Sequence, residues 1–319
     1  MVRRLALLFA GGAVWLFLAA IPALADNGPH VTGAGIVADS CAGCHRAHTA
    51  KAGSLLLQAQ PALCYTCHGA SGTGANNDVV DGLGYPNANR GGVAGALRGG
   101  GFSYALINSA APSGQKDTYS NATGTVPVLA TGAAVNSTHT ADGSSVMAWG
   151  NGAISGTANY GATINLRCGS CHNPHGNGNY RILRPIPEQS GAGAGVAISD
   201  ATTKVYTTTN YWQVEDTNAA GYIANVSAWC STCHTRYLAA STAGHTDSGD
   251  AVYTYRHKSN DTAQGSATCI QCHVSHGSNA SVGGTYSGAV AWPNGDTAGT
   301  DSRLLRIDNR GTCQMCHNR

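Results

Sequence analysis

The chain has 319 residues, of which 42% are hydrophobic but only 7% aromatic, with 43 glycines, three phenylalanines and 11% charged residues. A globular core of that length draws on more large apolar side chains than this composition offers. An ordinary close-packed domain is therefore excluded, and a formal net charge of +2 leaves the polypeptide close to neutral.

Residues 1–25 read as a removed signal peptide: Arg3 and Arg4, an apolar run through Ile21, then Ala23-Leu24-Ala25 ahead of Asp26. An uncleaved anchor is the alternative, because the run is nearly long enough to span a bilayer. No later segment is, so no membrane span is expected once the leader is cleaved. Loss of Arg3 and Arg4 takes the 18 basic side chains to 16, against 16 acidic ones.

Residues 26–319 read as one domain. A loop carrying His30 leads into Cys41-Ala-Gly-Cys44-His45-Arg-Ala-His48, then Ser54-Leu-Leu-Leu, then Cys64-Tyr-Thr-Cys67-His68. Residues 69–167, rich in Gly, Ala, Asn, Ser and Thr, hold His139 and recurring apolar residues such as Tyr104, Ile107, Val126 and Trp149, which predicts an ordered wrap of loops and hairpins. Cys168-Gly-Ser-Cys171-His172-Asn-Pro-His175 follows, then Tyr180-Arg-Ile-Leu-Arg. A β-branched and aromatic stretch from Lys204 to Val214 predicts a strand, ahead of Cys230-Ser-Thr-Cys233-His234. The last stretch holds His245, His257, Cys269-Ile-Gln-Cys272-His273-Val-Ser-His276, Ser302-Arg-Leu-Leu-Arg and Cys313-Gln-Met-Cys316-His317.

One C-x-x-C alone reads as a redox disulfide or half a zinc site. Here all 12 cysteines fall into such pairs, and a histidine follows every pair. That is the pattern of covalent haem c: thioethers form at the vinyl groups, and the adjoining histidine ligates the iron from one face. The sequence thus predicts six haems c, attached through Cys41, Cys44 and His45; Cys64, Cys67 and His68; Cys168, Cys171 and His172; Cys230, Cys233 and His234; Cys269, Cys272 and His273; and Cys313, Cys316 and His317. The porphyrins then supply the missing core. The expected fold is mostly irregular loop with short helices and a few short strands, wrapped around a linear haem array. Haem propionates make the loaded protein acidic, which argues against nucleic acid as a partner.

The motifs form an internal repeat over 26–68, 139–234 and 257–317, each unit holding an upstream histidine, an octapeptide C-x-x-C-H-x-x-H, an apolar Leu pair or Ile-Leu, and a plain C-x-x-C-H. Seven of the 13 histidines lie outside the attachment motifs: His30, His48, His139, His175, His245, His257 and His276. All are candidate second ligands. His48, His175 and His276 recur at one offset and cannot turn back to their own iron; His30, His139 and His257 each precede a unit. His245 is then the surplus one, with His30 the other candidate for that role. Met1 leaves with the leader and Met315 lies inside an attachment loop, so only Met147 remains beside seven histidines and bis-histidine ligation is expected throughout. It gives low potentials and closes both faces of each iron, which suits electron transfer and leaves no site for a substrate. Trp229 and Tyr65 are expected to pack against haem edges.

The order of these motifs is similar to that of the doubled C-x-x-C-H cytochromes. Over the whole mature chain it resembles the OmcS-type hexahaem cytochromes of metal-reducing bacteria, through Cys-Ala-Gly-Cys-His-Arg-Ala-His, Cys-Gly-Ser-Cys-His-Asn-Pro-His-Gly, Trp229-Cys-Ser-Thr-Cys-His-Thr, Cys-Ile-Gln-Cys-His-Val-Ser-His and the terminal Cys-Gln-Met-Cys-His. The resemblance implies a secreted, extracellular or cell-surface filament that passes electrons to other cytochromes and external acceptors. Its copies would join end to end with alternating stacked and T-shaped haem pairs, and His48 would ligate a haem of the next subunit. The Cys269–His273 haem of that subunit and the Cys64–His68 haem of the same chain are both possible recipients. This chain is shorter than the family pattern and lacks its further histidines after His68 and His234. A monomeric periplasmic carrier and a multihaem reductase are the competing readings.

Overall fold

The computed structural model describes residue 30, residues 40–72, 74–105, 133–152, 161–198, 205–206, 220–238, residue 248, residues 268–280 and residues 303–306. The leader, His245, His257 and the motif Cys313–His317 lie outside the described residues.

Most of the described chain is turn and loop, as the glycine content demands. Among the described residues, regular helix forms α1 (Ala62–His68), α2 (Cys168–Cys171), α3 (Ala220–Cys230) and α4 (Cys269–Cys272), with short 3-10 turns at Ser40–Gly43, Gly53–Leu55 and Tyr180–Ile182. Every one of these helices contains or ends in an attachment motif. None is long and apolar enough to cross a membrane.

The predicted wrap over 69–167 takes the form of loops and short strands in its described part; residues 73, 106–132 and 153–160 lie outside the described residues. Strands β1 (Asn77–Asp78), β2 (Leu83–Gly84) and β3 (Gly95–Leu97) run antiparallel in order, and β3 pairs further with β9 (Val205–Tyr206). That last pair lies in the stretch predicted as a strand from Lys204 to Val214, whose other residues lie outside the described ones. β4 (Tyr104–Ala105) pairs with β5 (Ala133–Ala134), and β6 (Ser137–Thr138) with β10 (Gly277–Ser278). The longest ladder joins β7 (Asp142–Trp149) to β8 (Gly161–Arg167), with a register shift between Asp142 and Ser145. Gly161 closes that ladder at φ +152; a Cβ there would lie 1.8 Å from the Ala148 carbonyl oxygen, so only glycine fits.

Apolar packing is sparse. One cluster gathers Tyr180, Leu183, Val196, Trp229 and Ile270 around buried Ile198 and Val226; another sets Val146 and Cys233 against Ala148, Ile164 and Leu166. Both clusters include or adjoin attachment cysteines. The wholly buried side chains include polar ones, Asp78 and Arg306 among them, which need hydrogen-bonding partners in such surroundings. Asp78 accepts from the N–H groups of Val80 and Asp81 and faces the Arg90 guanidinium at 3.5 Å. Arg90 in turn donates to the carbonyls of Cys67, Gly69 and Asn77. That network fastens the exit of the Cys64–His68 motif to β1.

Candidate haem-attachment sites

Each described motif winds into a helical turn, and the reason is local. In Cys168–His172 and Cys269–His273 the last residue before the second cysteine is polar and buried. Ser170 Oγ accepts from the Arg167 N–H at 3.1 Å, and Gln271 Oε1 from the Thr268 N–H at 2.7 Å, capping the turn from within. The histidine N–H then bonds to the carbonyl of the first cysteine in Cys41–His45, Cys168–His172, Cys230–His234 and Cys269–His273, at 2.8 to 3.1 Å. Residues i, i+3 and i+4 of a helical turn share a face, so both thiols and the imidazole project to one side.

The next requirement of a metal-binding histidine is a committed Nδ1, because donation of that proton fixes the tautomer and leaves the Nε2 lone pair for iron. His45, His172 and His273 donate to the carbonyls of Ser54, Arg181 and Arg303 at 2.9, 2.9 and 3.0 Å. His234 donates to Trp149 O at 2.6 Å, His139 to Ser275 O at 2.8 Å, and His68 to Asn77 Oδ1 at 2.5 Å.

The octapeptide histidines share one further device. The segments carrying the Leu or Ile-Leu pair fold back as hooks, placing Leu56, Leu183 and Leu305 in single β-bridges with His45, His172 and His273. The residue after each bridging leucine donates its N–H to the second cysteine's carbonyl: Leu57 to Cys44, Arg184 to Cys171, Arg306 to Cys272. Two successive residues in each hook take left-handed φ, Ser54 (56) and Leu55 (58), Arg181 (54) and Ile182 (53), Arg303 (47) and Leu304 (61). Non-glycine residues in that region cost about 1 kcal/mol or more apiece, so the hook is held by what it binds. The sequence repeat marks the leucines; the acceptor carbonyls, Asn77, Trp149 and Arg90 carry no motif and were missed.

The histidines then meet in twos. Ring centroids are 6.4 Å apart for His30 and His68, 6.2 Å for His45 and His175, 6.1 Å for His139 and His234, and 6.4 Å for His172 and His276. A metal–imidazole bond of about 2.0 Å, with the ring centre about 1.1 Å behind its nitrogen, places two imidazoles on opposite sides of one iron about 6.2 Å apart. The observed separations match, so these residues fit a haem iron at each of the four pairs. Among the described residues no three or more Cys, His, Asp or Glu side chains converge on a common metal position.

The pairing has a fixed offset. His175 of the second octapeptide meets His45 of the first, and His276 of the third meets His172 of the second. Upstream histidines His30 and His139 meet the plain-motif histidines of their own units, His68 and His234. Of the two histidines weighed as surplus, His30 thus has an imidazole partner. His273, though anchored by Arg303, faces no second imidazole among the described residues, and His48 is exposed and faces none either.

Burial favours the neutral form of seven described imidazoles. It lowers the pKa of His30, His68, His139, His172 and His273, and takes His234 to about 4 and His276 to about 3, with neighbouring histidines adding to the effect except at His68 and His139. The thiols trace how the motifs adjoin. A hydrogen bond with Cys168, then burial, raises the Cys64 pKa, and Cys269 does the same to Cys230. Cys44 also lies near Cys64 and Cys67, and Cys171 near Cys233. The five described motifs therefore neighbour one another in sequence order. Tyr65 is tilted against Phe102 at 6.4 Å, and Trp229 donates Nε1–H to Arg184 O at 2.7 Å.

Residues 34–73 match the family model described as Doubled CXXCH motif, a span that takes in the motifs at Cys41–His45 and Cys64–His68. The motif indicates covalently bound haem c, and its doubled form supports a multihaem c-type cytochrome with an electron-carrying role. Comparison with curated proteins and with solved structures gives no match.

Proposed function

We propose that the protein is an exported hexahaem c-type cytochrome whose copies join end to end into an extracellular filament for long-range electron transfer. The leader at 1–25, the six attachment motifs and the three units at 26–68, 139–234 and 257–317 belong to this reading. Bound haem supplies one-electron ferric–ferrous chemistry. The chain's part is to hold an imidazole on each side of every iron, which favours low potentials and keeps substrates off the metal. Neighbouring attachment loops keep successive sites within reach of one another, and other cytochromes and external acceptors are the expected partners.

The observation that carries the assembly is that His48 and His273 face no second imidazole among the described residues. The second and third octapeptides each set their second histidine against the attachment histidine of the octapeptide before. Continued forward, the rule asks for a further octapeptide beyond His276 to serve His273; continued backward, it leaves His48 with nothing to serve. One copy's His48 on the His273 site of its neighbour satisfies both and repeats without closing, the condition for a filament.

His48→Ala in the matured protein tests this. Intact mass should still show six haems, while electron micrographs lose filaments and EPR gains one high-spin or mis-ligated ferric signal. Filaments of normal length with an unchanged low-spin spectrum refute the assembly. Loss of ligation within an isolated single chain would instead mean that His48 acts in its own chain, and that the protein is a monomeric carrier.

A further inference from the structure

Two side chains tie neighbouring repeat units together at the places where their attachment thiols meet. Gln60, just ahead of α1, accepts a hydrogen bond through Oε1 from the Gly169 N–H of α2 at 2.7 Å. Ser227, buried in α3, accepts through Oγ from the Cys269 N–H of α4 at 3.4 Å. The two joints are equivalent in the repeat. Each acceptor lies about one helical turn before the first cysteine of a plain motif, Cys64 or Cys230, and each donor is a first-turn amide that its own helix cannot satisfy.

At both joints attachment thiols of successive units neighbour one another, Cys64 with Cys168 and Cys230 with Cys269. Within a unit, Cys44 likewise lies near Cys64 and Cys171 near Cys233. Gly169 leaves the room: a Cβ there would sit 3.0 Å from Gln60 Nε2 and 3.1 Å from its Oε1.

We propose that Gln60 and Ser227 are positioning residues which set how closely the haem-bearing loops approach across the two inter-unit joints, and through that the electronic coupling between units. The inference rests on the haem reading above. Each acceptor pins the start of the next unit's attachment turn to the helix that bears the preceding thiol, at the second joint alongside the apolar contact of Ile270 with the Val226 cluster.

The test compares the matured protein with Gln60→Ala, Ser227→Ala and the double variant, by intact mass and by circular dichroism in the Soret band, where closely spaced haems give a bisignate signal. Haem number and low-spin absorbance should stay as in the parent. The bisignate amplitude should fall in each single variant and further in the double variant, with electron transfer after pulsed reduction slowed severalfold. Gln60→Glu keeps an acceptor oxygen and should retain the signal; Gln60→Asn, too short to reach, should lose it and serves where the alanine variant does not accumulate. Full haem load with unchanged amplitude in the double variant overturns the proposal, as does a loss in Gln60→Glu equal to that in Gln60→Ala. A parent protein whose mass carries no haem would refute the attachment reading instead.

Discussion

Asn77 does for His68 with a side chain what main-chain carbonyls do for the other four described attachment histidines. A side-chain acceptor can be removed without disturbing the backbone, which makes this the one site among the described residues where the effect of Nδ1 on the ligand can be measured cleanly. An imidazole that donates to a good acceptor is the more basic ligand and stabilises ferric iron. Asn77→Leu should therefore raise the potential of a single haem and alter one low-spin EPR component, while Asn77→Asp should lower that potential; an EPR-monitored redox titration in which neither changes would refute the assignment. The buried imidazoles also set an acid limit. Their pKa values lie below 6.5 in the fold, at about 4 for His234 and about 3 for His276. The unfolded chain thus binds more protons below pH 6.5, and stability must fall as pH drops from 6.5 through those values, being fully present above it. Coordination to iron has the same sign, since protons compete for the same nitrogens. Denaturant midpoints that stay flat between pH 7 and about 4 would contradict this.

The hook is the element that most repays substitution, because it holds left-handed residues for the sake of carbonyls pointed at a histidine. Ser54→Gly keeps the carbonyl that His45 uses and removes a Cβ from φ 56. It should raise stability by up to about 1 kcal/mol, whereas Ser54→Val should lower it by at least as much, both read from denaturant midpoints with the low-spin spectrum unchanged. The β7–β8 ladder acts at longer range. Gly161→Ala would drive a methyl into the Ala148 carbonyl next to Trp149, whose own carbonyl anchors His234. The expected result is one perturbed low-spin signal assigned to the Cys230–His234 site. These elements also mark how far the sequence could be read. Attachment turns were legible because covalent chemistry fixes C-x-x-C-H within five residues and capping side chains sit inside the motif. The hooks were visible only as leucine pairs, since their working groups are main-chain carbonyls that any residue supplies. Asn77 and Arg90 left no trace because they act across strands that composition alone does not define.

At the scale of the whole molecule, the octapeptide marks its second histidine as a ligand for another haem, but which histidine meets which depends on non-local folding that spacing does not encode. The offset has a direct test: His276 lies in the third octapeptide yet faces His172 of the second. His276→Ala should therefore open the iron at Cys168 and Cys171, not the one at Cys269 and Cys272. Carbon monoxide should bind one reduced iron per chain, and Mössbauer or EPR intensity should show one high-spin centre; an unaltered low-spin spectrum would contradict the pairing. The same offset orders events in time. A chain delivered from its N-terminus presents Cys41, Cys44 and His45 long before His175 arrives, so the earliest iron to be attached waits with one coordination position free. On the proposed reading, maturation should thus pass through a state sensitive to nitric oxide or cyanide that the finished protein would no longer have. Poisoning by such ligands should stall cells that are making the protein while leaving those that already carry it untouched.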